Sequence, residues 1–156
     1  MPRFNSPRDV RLFRHYSTEM VDDVIQTAVV LWKINTEETT YNLYGESLSK
    51  HYYTPVETYC MIERDDTVSA YEGFGSDTTQ TVKFRFNRHT LEETDFYPEI
   101  GDIIELDKKN GGHAYFEISN ITEEQWIGGL YYNNFSIICE TFMIKRSSLD
   151  LEQFIR

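Results

Sequence analysis

Apolar and polar residues follow two different periods along this chain, and the change from one to the other falls near residue 26. Ser6 precedes Pro7 and has Asp9 three residues on, a helix-start pattern. Apolar residues then recur at Val10, Phe13, Met20, Val21, Val24 and Ile25, close to a 3.6-residue period, which predicts an amphipathic helix from about 7 to 24. Ser17 and Thr18 offer a second start should that helix break. After Gln26 the stretch TAVVLWKI is rich in β-branched and aromatic residues and reads as a largely buried strand.

From there the period is two. In VETYCMIE, Val56, Thr58, Cys60 and Ile62 alternate with Glu57, Tyr59 and Glu63; in TVKFRFN, Val82, Phe84 and Phe86 alternate with Lys83 and Arg85. Each reads as a strand with one wet and one dry face. TLEETDF, 90 to 96, reads as one helical turn capped by Thr90. The stretch YPEIGDIIEL follows, where Pro98 and Gly101 punctuate the backbone before an apolar run. Asn110-Gly111 supplies a hairpin turn, and AYFEI points Ala114, Phe116 and Ile118 inward against Tyr115 and Glu117. QWIGGLYY and FSIICETFMI give two further strands, the second apolar on both faces and so suited to a central or interface position.

About six closely spaced strands behind one helix predict a mainly β fold, a small antiparallel barrel or sandwich with an N-terminal α-helix. At 156 residues one domain is expected: a helical segment over 1–25, a barrel body over 26–146 and a tail over 147–156. Residues 63–80 fit neither period and are read as a long, mobile acidic loop holding Asp65, Asp66, Glu72 and Asp77, with glycines for hinge freedom.

Charge narrows the function. Twenty-six acidic residues against fifteen basic ones give a net charge of −11, which argues against a protein that grips nucleic acid by its phosphates. The densest basic group is Arg3, Arg8, Arg11 and Arg14, of which Arg8, Arg11 and Arg14 make a stripe along one side of the predicted helix that reads as a solvated face or a contact with an acidic partner. The sequence shows neither a signal peptide nor an apolar run long enough to span a bilayer, so a soluble protein made in a cytoplasm is expected.

Catalytic chemistry finds no foothold. His15, His51, His89 and His113 are scattered over helix, loop, strand end and turn, and Cys60 and Cys139 occupy inward strand positions where a thiol is an inert apolar filler. Asp65, Asp66 and Asp77 lack the spacing of a calcium loop, and GFGSD lacks both the frame and the lysine of a phosphate cradle. No metal, no cofactor and no enzyme activity are expected.

The blocks YGES at 44–47, PVETYCMIER at 55–64, FGSD at 74–77, FRFNRHTLE at 84–92, YPEIGDIIE at 97–105, YFEI at 115–118 and SIICET at 136–141 give the chain its family likeness. As an ordered series running from about residue 10 to 148, they resemble the neck, or head-closure, proteins of T4-type contractile-tailed bacteriophages. The resemblance implies a virion protein assembled in the host cytoplasm. It forms a ring, expected to be a hexamer, between a portal-side adaptor and the tail terminator or tail tube, with a β-barrel body and a loop that narrows a DNA channel. A channel of this kind gains from acidity, because like charge opposes adsorption of the passing DNA.

On that basis Asp65, Asp66, Glu72 and Asp77 are the candidate channel-facing residues. Val10, Phe13 and Val21 of the helix and Leu149, Leu151 and Phe154 of the tail are the candidate contacts with a neighbouring subunit or ring, the alternative being that they pack on the parent barrel. A tail terminator or completion protein is the nearest alternative. A barrel that binds single-stranded nucleic acid, stacking bases on Trp126, Tyr131 and Tyr132, is a further one opposed by the charge balance.

Overall fold

The computed structural model describes residues 6–41, 43, 47–64, 68–72, 75–79, 81–108, 111–125 and 134–144. The chain opens with α1 (Pro7–Glu19), which runs directly into a π-helical turn, Met20–Ile25. The strands are β1 (Ala28–Trp32), β2 (Thr40–Tyr41), β3 (Ser47–Ser49), β4 (Val56–Tyr59), β5 (Met61–Arg64), β6 (Val68–Glu72), β7 (Gly75–Thr79) and β8 (Thr81–Asn87). A short helix α2 (Arg88–Glu93) precedes β9 (Ile103–Asp107), β10 (His113–Gln125) and β11 (Asn134–Ile144). The fold is mainly β, as its alternating pattern predicts.

Seven of the strands form one antiparallel sheet in the order β4-β1-β9-β10-β11-β8-β5. Its two edges, β4 and β5, are separated in the chain by Cys60 alone. Two Cα steps of 3.8 Å allow Tyr59 and Met61 to be no more than about 7.5 Å apart, so the sheet must curl until its ends meet. The stretch expected to be a single strand, VETYCMIE, is therefore two. It bends at Cys60, serving β1 on one side (Thr58 opposite Val29) and β8 on the other (Ile62 opposite Phe84). The Cys60 N–H stays satisfied by donating to the Thr27 carbonyl at 3.0 Å.

Inside the curl lie Val29, Leu31, Cys60, Val82, Phe84, Phe86, Ile104, Phe116, Ile118, Ile137 and Cys139, all buried. Phe84 and Phe116 meet edge to face, ring centres 5.3 Å apart at 62°. This interior is solid. A second apolar cluster covers part of the opposite face of the sheet, where Tyr52, Ile103 and Tyr115 are buried beside Trp32, Ile34 and Ile144. Tyr115, expected to face water, is instead buried, because the 34–52 segment folds back through an Ile34–Tyr52 bridge.

Two other expectations are corrected. Residues 63–80, read as a loop, carry the ribbon β6–β7, with Val68 opposite Thr79 and Glu72 opposite Gly75. Strand-forming Thr, Val and Tyr drive it, and because it joins no other sheet its sequence has no reason to alternate apolar and polar residues. The short helix begins two residues before Thr90 and is entered straight from β8 with Asn87 at its N-cap, so Thr90 is a buried interior residue. The N-terminal helix runs over 7–25 as expected, but its last six residues are π-helical, with Gln26 in the left-handed region at φ 49° donating its N–H to the Val21 carbonyl. Of the strand expected over QWIGGLYY, Gln125 ends β10 and the rest lies outside the described residues.

Candidate functional site

The histidines do not converge. His15 and His89 face Glu19 and Glu93 one helical turn on, at 3.2 and 3.4 Å, and His113 pairs with Glu105 at 2.9 Å. Among the described residues no group of three or more His, Cys, Asp or Glu could hold a metal ion. Cys60 and Cys139 are fully buried, and burial pushes both thiols up to about 12, Cys60 being raised further by Cys139 and Cys139 by Asp102. Neither is a nucleophile at neutral pH.

A polar cluster among the described residues is built on Glu105. Its carboxylate accepts the Trp32 indole N–H at 2.8 Å, lies 2.9 Å from His113 Nδ1 and accepts the Tyr115 hydroxyl at 3.4 Å. Register explains the convergence: Glu105 stands directly opposite Tyr115, with His113 two residues along β10 and Trp32 two residues along β1 from its other neighbour, Val30. No hydroxyl or thiol of a Ser, Thr or Cys is hydrogen-bonded to His113 among the described residues. The cluster fastens three strands together without activating a nucleophile.

The second feature lies where the N-terminal helix meets the barrel. Asn87 and Ser17 hold it there through paired hydrogen bonds, and an open cleft of about 470 Å³ lies alongside, lined by Met20, Val21, Met61, Arg85 and Phe135 among others. Arg85 is committed: it donates to Glu63 through Nε at 3.2 Å and Nη2 at 3.0 Å, and it also contacts Glu124, whose carboxylate accepts the Ser136 hydroxyl at 3.0 Å.

The helix residues expected to meet a partner divide. Val10 and Phe13 are half-buried, whereas Val21 is 6% exposed and turned into the chain's own body, so it is corrected from partner contact to anchor. The exposed apolar residues are a different set, Leu12, Tyr16, Met20 and Val24, at 48, 59, 57 and 77% exposure. They recur every fourth residue and make an exposed row along α1 and the π turn, with Met20 also standing at the edge of the cleft. The periodicity was visible in the sequence, but which side would pack inward was not.

Of the candidate channel residues, Glu72 ends β6 and Asp77 lies mid-β7 opposite Ala70, while Asp65 and Asp66 lie outside the described residues. Leu149, Leu151 and Phe154 also lie outside them.

A second apolar patch escaped sequence reading altogether. The turn after α2 exposes Tyr97 and Ile100, at 48 and 69%, beside the exposed carboxylates of Asp95 and Glu99. The turn is held from beneath by Asp102, 3% exposed, whose carboxylate accepts the N–H of Ile34 at 3.0 Å and of Glu99 at 2.8 Å. Gly101, at φ 97°, takes the left-handed conformation that the turn requires.

The described residues thus form a curled mainly β body with a docked helical arm and, among them, two apolar surface patches of differing charge. Neither a scan against protein-family models nor a search of curated proteins finds a match to it. No helix among the described residues is long and apolar enough to cross a membrane.

Proposed function

We propose that the chain is a structural subunit of a bacteriophage neck, one copy of a ring that closes the filled head, joins it to the tail and leaves a channel for DNA. The observation that carries this reading is where the family-like blocks fall. PVETYCMIER is the bent segment joining the two sheet edges, FRFNRHTLE is β8 passing into α2, and YPEIGDIIE is the Asp102-anchored turn leading into β9. YFEI and SIICET lie in the paired central strands β10 and β11. The resemblance therefore rests on the framework of the fold.

Two further observations agree with it. The interior of the sheet is filled by Phe84, Phe86 and Phe116, so a passage for DNA has to lie between copies and not through one. The net charge of −11 suits a wall along which DNA slides without sticking.

The test is the native mass of the purified full chain, alone and mixed with the portal-side adaptor and with tail-tube protein of the same phage, followed by duplex-DNA binding at low salt. A ring that binds the adaptor side and leaves DNA free is expected. Capture by the tail tube alone would move the chain to the tail-terminator position. Tight, salt-dependent binding of DNA by a single copy would overturn the neck reading.

A further inference from the structure

We infer that the exposed row on the N-terminal helix is a docking surface for a second copy of this chain, and that it seats on the Tyr97–Ile100 turn of that copy. This names the contact by which the proposed ring would assemble, and it rests on that reading only for the number of copies.

The argument begins with what each surface leaves unsatisfied. Leu12, Tyr16, Met20 and Val24 form a continuous exposed apolar row, which a chain acting alone gains nothing by displaying. Arg8 and Arg11, exposed on the same helix, have no carboxylate within pairing distance among the described residues, in a chain with eleven more acidic than basic groups. Unpaired cations on so acidic a molecule mark the place where an acidic surface is meant to arrive.

The turn offers the complementary set. Tyr97 and Ile100 project from a backbone pinned by Asp102, so little order has to be imposed on binding. Their neighbours are acidic: Asp95, which has no cationic partner among the described residues, and Glu99, whose carboxylate is 67% exposed and pairs with Lys33 at 3.0 Å. Apolar meets apolar, and the basic flank of one patch meets the acidic flank of the other. Because the two patches are different surfaces, each copy presents both. Repetition then closes a ring if the rotation permits, or pairs two copies reciprocally.

The experiment is a charge reversal on the full-length protein, read by native mass and light scattering over a concentration series. Arg11→Glu and Glu99→Arg should each raise the concentration at which half the chains are assembled by about tenfold, and Arg11→Glu combined with Glu99→Arg should restore it to within about threefold. The loss of the Lys33–Glu99 pair is common to the single and the double variant, so restoration reports contact between copies. Ile100→Asp and Tyr16→Asp, both at exposed positions, should abolish assembly while leaving the circular-dichroism melt in place.

Assembly that ignores every reversal sinks this contact and leaves the ring reading standing. Restoration in a particle that stops at two copies and does not bind the portal-side adaptor keeps the contact and sinks the ring. A double variant weaker than either single one, or a wild-type chain that stays single throughout, overturns the inference.

Discussion

Ser17 and Asn87, seventy positions apart, exchange two hydrogen bonds: the Ser17 hydroxyl donates to Asn87 Oδ1 and the Asn87 amide donates to the Ser17 carbonyl, each at 2.8 Å. Asn87 sits at the N-cap of α2, where an asparagine usually accepts from its own helix, yet it makes no capping bond. Its side chain is spent on tying α1 to the barrel. Asn87 is 5% exposed, so a carbonyl or hydroxyl left facing its absence is only poorly rescued by water.

Asn87→Ala should therefore lower stability by about 1–3 kcal/mol, and Ser17→Ala, which keeps the backbone acceptor, by about half as much. Urea unfolding measures both. Limited proteolysis supplies the mechanism, since in Asn87→Ala cleavage within residues 7–25 should precede cleavage of the sheet. Equal protection of the arm in variant and wild type would contradict the tether.

Much of this fold can be read from the residues themselves, and the failures share a cause. The alternation of Val56, Thr58, Cys60 and Ile62 correctly names the inward side, because burial acts on each residue locally. The break at Cys60 is invisible because it answers a demand set by β1 and β8, which are distant in sequence. Likewise the 3.6-residue period finds the helix but not its buried side. The π turn accommodates an extra residue per turn, and within it Val21 is buried while Met20 and Val24 stay exposed. Glu105 looks like an ordinary solvent-facing strand residue until Trp32, 73 positions away, is placed beside it. The Tyr97–Ile100 patch had a turn signal but no periodicity, and turns do not announce which of their side chains will be left exposed.

The Glu105 cluster predicts an order of effects. Glu105→Ala removes the carboxylate that accepts the Trp32 indole N–H and pairs with His113, and should cost about 1–3 kcal/mol. His113→Ala removes a half-exposed partner from a pair already anchored by Trp32, and should cost less than about 1 kcal/mol. Thermal unfolding of the two variants checks this. A larger loss for His113→Ala would mean that the histidine, not the indole, organises the site.

Asp102 predicts a pH dependence. Burial raises its carboxyl above the ordinary carboxylate value, with the N–H groups of Ile34 and Glu99 and the charge of Lys33 pulling it partly back. The folded chain thus holds this proton to higher pH than the unfolded chain. Between the ordinary value, about 3.9, and the higher folded one, the native state binds more protons, so the contribution of Asp102 to stability falls as pH rises. The stability of wild type minus that of Asp102→Asn, measured in urea at steps from pH 3.5 to 7, should decline with pH. A difference that climbs with pH would show that the hydrogen bonds outweigh desolvation.

The two thiols give the sharpest test of the curled sheet. Cys60 stands at the bend that joins the sheet's edges and Cys139 on central β11, both with no exposed surface, and both are pushed up to about 12. At pH 8 about one molecule in ten thousand would carry either thiolate, and burial withholds even that fraction from a reagent. Native protein should therefore leave both thiols unmodified by an aromatic disulfide reagent over hours, and release two equivalents at once in concentrated urea. The sign of the linkage is fixed too. Because the folded values lie above the ordinary thiol value of about 8.5, the native state is the more protonated from there to about 12, and its stability falls across that interval. Cys60→Ala and Cys139→Ala should each flatten part of that alkaline fall while costing about 1 kcal/mol at neutral pH through lost packing. Rapid labelling of Cys60 but not Cys139 in the native protein would mean that the sheet opens where its two edges meet, and that β4 and β5 part without the core unfolding.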